Sequence, residues 1–466
     1  MRNASRLLDL LEKRYRGLTP RSAALHGRAE NVMVRGGSHT LRLWYPYPFF
    51  ASRAAGARIW DVDGNSYIDY WQGHYANILG HNPPEIREGI RSTQIRATLH
   101  TGFEGTAQIE LAEILLRQLG HKDWKVRFTT SGTLAGMYSA MLARAHTGRE
   151  YILKIGGGWH GASPYLLKGV KYHPGSGFEN VDSAGVDASF RKKTLVTRFN
   201  DEDDLAHVFG KMGGKIAGFV VEPFQGVGGF LAASQGYLDL ARKLTSEYGA
   251  LLVFDEVISG FRFCPSGVQK LYGIEPDISI FGKMIGGGHA VAAVAGKRSV
   301  MEGCEKKTAE GQRVLFDGGT FSAHPGYMAA GAAMLRHLAE HAGDIYPRIG
   351  KAGDELRRGI EEAFRGEGIE VRCTGWGNDV VRESSMYMVN FPLRKTEYKN
   401  PEDSMNERIS DLKLREVVLK LALLVEGTHV VHGGGAVSLA HHTTHIRKSL
   451  AAYGEAAALF RKYLYS

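Results

Sequence analysis

Short apolar runs alternate with helical periodicity through the middle of the chain. Seven runs read as strands: "KVRFTT" (125–130), "YILKI" (151–155), "KTLVTRF" (193–199), "IAGFVVE" (216–222), "ALLVFDE" (250–256), "ISIF" (278–281) and "AVAAVAG" (290–296). Between them, stretches such as "QGYLDLARKLTSEYG" repeat apolar residues at helical spacing. This alternation predicts an α/β fold with a mostly parallel seven-stranded sheet flanked by helices. In such a sheet ligands bind beyond the C-terminal ends of the strands.

The flanks carry a different pattern. "MRNASRLLDLLEKRYRGL" at the start is an amphipathic helix, and "ARIWDVDGNSYIDYW" reads as a β-hairpin around Asp63-Gly64. From about residue 341 the order is helix, strands, helix, strand, helix, with "LRKTEYKNPEDSMNER" (393–408) expected as a mobile surface loop. Three regions follow: an N-terminal segment (1–95), a large domain (96–340) and a C-terminal region (341–466). The two flanks are expected to join into a smaller α+β domain, which suits a chain of 466 residues.

Composition narrows the function classes. Hydrophobic residues make up 43% and charged residues 23%, a globular balance. The net charge of +9 is spread along the chain, and no basic run interleaves with aromatics, so nucleic acid is not an expected partner. Cys264, Cys304 and Cys373 lie far apart with no metal-ligand spacing. They predict reduced thiols, no metal site and a cytoplasmic protein. No segment resembles a signal peptide or a membrane span.

Four features carry chemistry, each with a plainer reading beside it. Ser131-Gly132-Thr133 opens a helix after the first strand, where hydroxyls, free N–H groups and the helix dipole suit a phosphate. The same residues also make an ordinary helix N-cap. Trp159 and His160 follow a glycine turn in "GGGWHGASPY", where a flat ring stacks on a planar ligand or simply packs in the turn. Asp255 ends a strongly apolar strand and needs a cationic partner or a site role, unless it caps the residues that follow. Lys283 comes 28 residues later, at the end of the next strand. Partly buried, it has a usable neutral amine; on the surface, it snorkels. Together these place a phosphate cradle, an aromatic plate, an acid and an amine at one sheet edge. Pyridoxal phosphate needs all four: the amine forms a Schiff base, and the acid keeps the pyridine nitrogen protonated so that the ring is an electron sink.

The blocks "VVEPFQG", "LLVFDEVISGFR", "FGKMIGGG" and "GGTFSAHP" resemble the signatures of class III pyridoxal-phosphate aminotransferases, and "YIDYW…ILGHNPPEI" resembles their N-terminal block. The likeness runs from about residue 35 to the C-terminus and is nearest to glutamate-1-semialdehyde aminomutase and the aminotransferases of β-amino acids and D-arylglycines. It implies fold type I and a homodimer with shared active sites. By this resemblance Lys283 carries the cofactor and shuttles protons, and Asp255 pairs with the pyridine nitrogen. Val257 packs on the ring face opposite Trp159, with His160 also at the cofactor. Ser131, Gly132 and Thr133 bind the phosphate, Glu222 lies near the phenolic side, and Thr320 reaches the neighbouring subunit's phosphate. Arg42 falls near an arginine that relatives use for a substrate carboxylate, and Trp71, His74 and Tyr75 lie where relatives line the pocket.

The implied activity is a ping-pong transfer of an amino group from an amine or amino acid, β- and D-amino acids included, to a keto acid or aldehyde. The alternative on the same scaffold is an isomerase, either a 2,1-aminomutase or an amino-acid racemase. Three positions depart from the family pattern. Leu134 replaces a usual glutamate. Val227 replaces the glutamate of many ω-aminotransferases, and the arginine that pairs with it is missing from "EGTHVVHGGGAVSLAHH". Gly434 stands where the aminomutase is expected to carry a glutamate, which argues against mutase activity.

Overall fold

The computed structural model describes residues 4–94, 102–305, 311 and 313–465. All seven predicted runs are strands of one sheet: β1 (Trp124–Thr129), β2 (Tyr151–Ile155), β3 (Thr194–Thr197), β4 (Ile216–Val221), β5 (Leu251–Glu256), β6 (Ile278–Phe281) and β7 (Ala292–Lys297). Their spatial order is β1-β7-β6-β5-β4-β2-β3. Neighbours from β6 to β3 pair in parallel, whereas β7 runs antiparallel to both β6 and β1. The reversal has a simple cause. Residues 282–291 join β6 to β7 through a short 3-10 turn, and a parallel return needs a crossover of about a dozen residues or more.

Every residue of β4, β5 and β6 is buried. Strand alternation sends Leu252 and Phe254 to a cluster shared with the helix Gln235–Tyr248, and Leu251 and Val253 to one shared with the helix Gly132–Thr147. Burying one such aliphatic side chain stabilises by about 1.5–3 kcal/mol. These central strands are therefore a rigid base for whatever their ends carry.

The two ends of the chain share a core. Leu7, Leu11 and Tyr15 of the helix Ser5–Leu18 pack in one cluster with Leu421, Tyr453 and Phe460. The hairpin at Asp63-Gly64 forms as expected, and strand Thr428–His429 adds in parallel to Ser66–Asp69. A second small sheet joins Arg372–Thr374, Met386–Asn390 and Gly434–Ala436.

Residues 393–408 correct the expectation of a mobile surface loop. They contain the helix Pro401–Met405, and Tyr398, Pro401 and Ser404 are buried. Asp403 Oδ2 accepts from the N–H groups of Lys399 (3.0 Å) and Asn400 (3.2 Å), so the polar residues serve the backbone rather than water. Pro401 packs so close to Gly157 that a Cβ there would lie 2.6 Å from it. The polar composition concealed two apolar anchors.

Candidate active site

Three neighbouring parallel strands end in the three groups that matter most. Glu222 follows β4, Asp255 is the penultimate residue of β5, and Lys283 lies two residues beyond β6. Asp255 pairs in register with Ile280, so the turn carrying Lys283 rises directly beyond it. Lys283 adopts a left-handed φ of 48° and opens a 3-10 turn that closes at Gly287. Its amine makes no hydrogen bond or ion pair among the described residues. Burial pushes its pKa down to about 8, against the pull of Asp255 and Glu222. A neutral amine is therefore accessible near neutral pH.

Asp255 is 3% exposed. Its Oδ2 accepts from His160 Nδ1 at 2.8 Å and its Oδ1 from the Val257 N–H at 3.0 Å. The acid thus caps the residues that follow it, the plainer of the two readings, and also holds an imidazole. His160 is buried, its charged form is disfavoured by that burial, and its Nε2 has no hydrogen-bond partner among the described residues. Glu222 accepts from the N–H groups of Trp159 and Gly226, each at 2.9 Å. Burial, reinforced by the nearby charge of Asp255, pushes its pKa up to about 8.

The predicted phosphate cradle opens the helix Gly132–Thr147, with Ser131 Oγ accepting from Leu134 N–H at 3.3 Å. Thr133 Oγ1 accepts from Ala162 N–H at 3.3 Å. A Cβ on Gly161 would lie 2.4 Å from the Thr133 Cα, so the loop after β2 is pressed against the helix start. Val257 packs against both Gly132 and Gly282, where a Cβ would meet its methyls at 3.1 and 3.2 Å. Ser131, Gly132, Val257, Lys283, Asp255, His160 and Glu222 therefore gather at one edge. Trp159 joins them through its main chain, while its ring is 39% exposed. Thr320 is exposed, two residues beyond Gly318, whose carbonyl accepts from Thr129 Oγ1. Leu134 packs against the core cluster under the helix, so an apolar contact stands where the family has a carboxylate.

Among the residues expected at a substrate pocket, the turn Gln72–Tyr75 is left-handed throughout, with φ of 46°, 62°, 61° and 69°. An L-residue pays about 1–2 kcal/mol for that conformation. Trp71 and Tyr75 are buried in the core, Tyr75 against Phe230. His74 remains partly open and packs against Trp71 at a tilt of 46°, with ring centroids 4.2 Å apart. Its Nε2 accepts from Arg42 Nε at 3.4 Å. Burial pushes the His74 pKa down to about 4, so the imidazole is neutral and a competent acceptor.

Sequence reasoning missed several residues. Lys154, inside β2, is fully buried and donates to the carbonyls of Gly158 and Lys168, each at 2.9 Å. Its signal was a charge within "YILKI". Arg262 is 1% exposed, donates to the Tyr75 carbonyl, and has no acidic partner among the described residues. Asp69 accepts from the N–H groups of Trp71 and Gln72 and so anchors the turn Gln72–Tyr75. Glu416 sits in a π-helical stretch and accepts from His432 and Arg415. Arg262 and Asp69 lay inside the blocks "LLVFDEVISGFR" and "YIDYW" with no role assigned to them, and Glu416 was a polar position in an unremarkable segment.

Comparison with known proteins gives the same direction. The family profile described as "Aminotransferase class-III" matches residues 43–377. Glutamate-1-semialdehyde 2,1-aminomutase of Thermoplasma acidophilum is 34% identical over 446 residues, covering 94% of this chain and 99% of that one. An ω-transaminase from Sphaerobacter thermophilus superposes with a TM-score of 0.83 at 29% identity, covering 94% of this chain and 97% of its own. A transaminase solved with pyridoxal phosphate bound superposes with a TM-score of 0.82 at 29% identity, over 96% and 99%. The residues here fit that cofactor. There is an unbonded amine at Lys283, an orphaned buried nitrogen on His160, and a cradle at Gly132 and Gly161 with no space for a further Cβ. With its sheet, its strand-end chemistry and its matched profile in agreement, this chain belongs to the class III aminotransferases, a family of pyridoxal phosphate-dependent enzymes.

Proposed function

We propose that this protein is an aminotransferase, moving an amino group from an amine or amino acid to a keto acid or aldehyde. One observation favours transfer over isomerisation. The resemblance expects an aminomutase glutamate in the block around Gly434, and here no side chain has space. A Cβ on Gly434 would lie 1.9 Å from the Tyr387 carbonyl oxygen, one on Gly435 2.3 Å from that of Tyr70, and one on Gly433 2.4 Å from Arg415 Cγ.

Bound pyridoxal phosphate supplies an electron sink that makes the substrate's carbon–hydrogen bond acidic. In this reading Ser131, Gly132 and Thr133 hold the phosphate through hydroxyls and free N–H groups. Val257 and Trp159 would hold the cofactor's ring between them, and Glu222 would lie beside it. Asp255, fixed in rotation by His160 and by Val257 N–H, would accept from the cofactor's ring N–H. Lys283 would attach the cofactor, and its Nζ, once freed, would hold the proton taken from the substrate carbon. Arg42 receives a substrate carboxylate: its guanidinium is exposed, touches neutral His74, and has no acidic partner among the described residues. Trp71 and Tyr75 shape the pocket wall from beneath.

Exposed Phe103, Leu315 and Phe321 (85%, 59% and 61% exposed), with Thr320 among them, support a homodimer in which each copy completes the other's site. No described helix is long and apolar enough to cross a membrane, and the three cysteines are unpaired, in keeping with a cytoplasmic home.

A second reading, a 2,1-aminomutase, is favoured by the name of the Thermoplasma acidophilum relative and its near full-length match. One experiment separates the readings. Protein loaded with pyridoxal phosphate is given single amino donors without acceptor, and the visible band and products are followed. Loss of the band with release of a carbonyl product supports the aminotransferase. A positional isomer of the donor supports the mutase, and inversion of its chiral centre a racemase. A band that no donor alters overturns all three.

A further inference from the structure

The left-handed turn Gln72–Tyr75 does not hold itself, because three of its four residues carry a Cβ in a conformation that L-residues rarely adopt. Its first half is fixed by one carboxylate. Asp69 is 1% exposed and ends the strand Ser66–Asp69. Its Oδ1 accepts from Trp71 N–H (3.0 Å) and His429 Nδ1 (2.7 Å). Its Oδ2 accepts from Gln72 N–H (2.9 Å) and His81 Nε2 (2.8 Å). Each oxygen thus takes two donors, which uses the capacity of an ionised carboxylate.

The donors come from three parts of the chain. Trp71 and Gln72 begin the turn. His81 lies beyond it and accepts from Asn77 Nδ2 at 3.3 Å through its other nitrogen. His429 lies in the C-terminal strand that pairs with Ser66–Asp69. At the far end of the turn, Arg262 holds the Tyr75 carbonyl. What the turn presents is His74, with its edge on His39 (centroids 4.8 Å) and its Nε2 on Arg42 Nε.

We propose that Asp69 is a positioning residue for carboxylate-bearing substrates, locking the turn that sets His74 and, through it, Arg42. This rests on the reading of Arg42 given under the proposed function. Burial alone would raise the Asp69 carboxyl, but the hydrogen bonds from His429 and His81 hold it well below the usual carboxylate range. The node therefore stays anionic at working pH. Asp69 touches neither the cradle nor Lys283, so its effect falls on substrate affinity and not on cofactor retention.

The test compares the parent with Asp69→Asn, His81→Leu and His81→Gln, all loaded with pyridoxal phosphate. Three probes are used: β-alanine, which has an amine and a carboxylate; n-propylamine, which has only the amine; and propionate, which has only the carboxylate. Asp69→Asn and His81→Leu are expected to raise KM for β-alanine about tenfold, with kcat and the n-propylamine KM changed by less than about threefold. They also weaken propionate binding, read from the visible band, by about tenfold, and speed hydrogen exchange in peptide 70–78. His81→Gln keeps an N–H near the position of Nε2 and restores all of these. Unchanged β-alanine KM, propionate binding and exchange in Asp69→Asn overturn the proposal. So do equal losses for all probes together with loss of the visible band, which mark general structural damage. Should Asp69→Asn fail to fold, the two His81 variants decide. If the parent converts neither amine, the aminotransferase reading fails, and propionate binding with the exchange comparison still decides the role of Asp69.

Discussion

Lys283 sits where two opposing effects nearly balance. Burial drives its ammonium toward the neutral form, while Asp255 and Glu222 resist. Burial wins, taking the pKa from 10.5 to about 8. The sign of two consequences follows. Below about 8 the amine is protonated and slow to condense, so uptake of pyridoxal phosphate by the apoprotein is expected to accelerate from pH 7 to 9 and then level off. Stopped-flow recording of the visible band measures it. Between pH 8 and 10.5 the unfolded chain binds the proton that the folded chain has released, so apoprotein stability from this group rises with pH across that window and a Lys283→Met variant lacks the rise. A rate that falls with pH, or a variant with the parent's slope, contradicts the assignment. Lys283 and Asp255 were legible in the sequence because a charge at the end of an apolar strand is a local anomaly. Lys154 carries an equal anomaly inside β2, but its meaning depends on the Gly158 and Lys168 carbonyls, which only the folded loop delivers.

Elements differ in how much space they leave. The segment 432–435 runs so close to the strand Met386–Asn390 and to Tyr70 that its glycines are obligatory for space and not for flexibility. Replacing Gly434 with Ala is expected to cost about 3 kcal/mol, because the nearest atom is a backbone oxygen that no rotamer change can move. Gly210, in the last turn of the helix Glu202–Met212, has nothing within 4 Å of its missing Cβ. Gly210→Ala is expected to stabilise by about 0.5–1 kcal/mol. Urea midpoints of the two variants read both outcomes. The strands were legible because their apolar runs are contiguous. The segment 393–408 was not, because its anchors Tyr398 and Pro401 are spaced among charges, and the partners that bury them lie far off in the chain.

Across the whole molecule, the first helix and the last share a core. Leu7, Leu11 and Tyr15 are all fully buried, and burying them contributes about 5–9 kcal/mol. That is comparable with the entire stability of a typical domain, about 5–15 kcal/mol. Deleting residues 1–18 is therefore expected to yield protein that aggregates or lacks a cooperative thermal transition, read by light scattering and near-ultraviolet circular dichroism. A soluble variant with an unaltered melting curve would show the helix to be dispensable.

By itself the sequence determined the seven strands, the hairpin at Asp63-Gly64, and the placing of Ser131–Thr133, Glu222, Asp255 and Lys283 at strand ends. All of these follow from periodicity over a few residues or from a polar group set against an apolar run. Tertiary structure decided the direction of β7, the burial of Trp71 and Tyr75 around an open His74, the absence of space at Gly434, and the joining of Asp69 to His429, 360 residues away. Each depends on which distant backbone or side chain arrives as a neighbour, and a hydrogen bond or a steric limit exists only once both partners are in place.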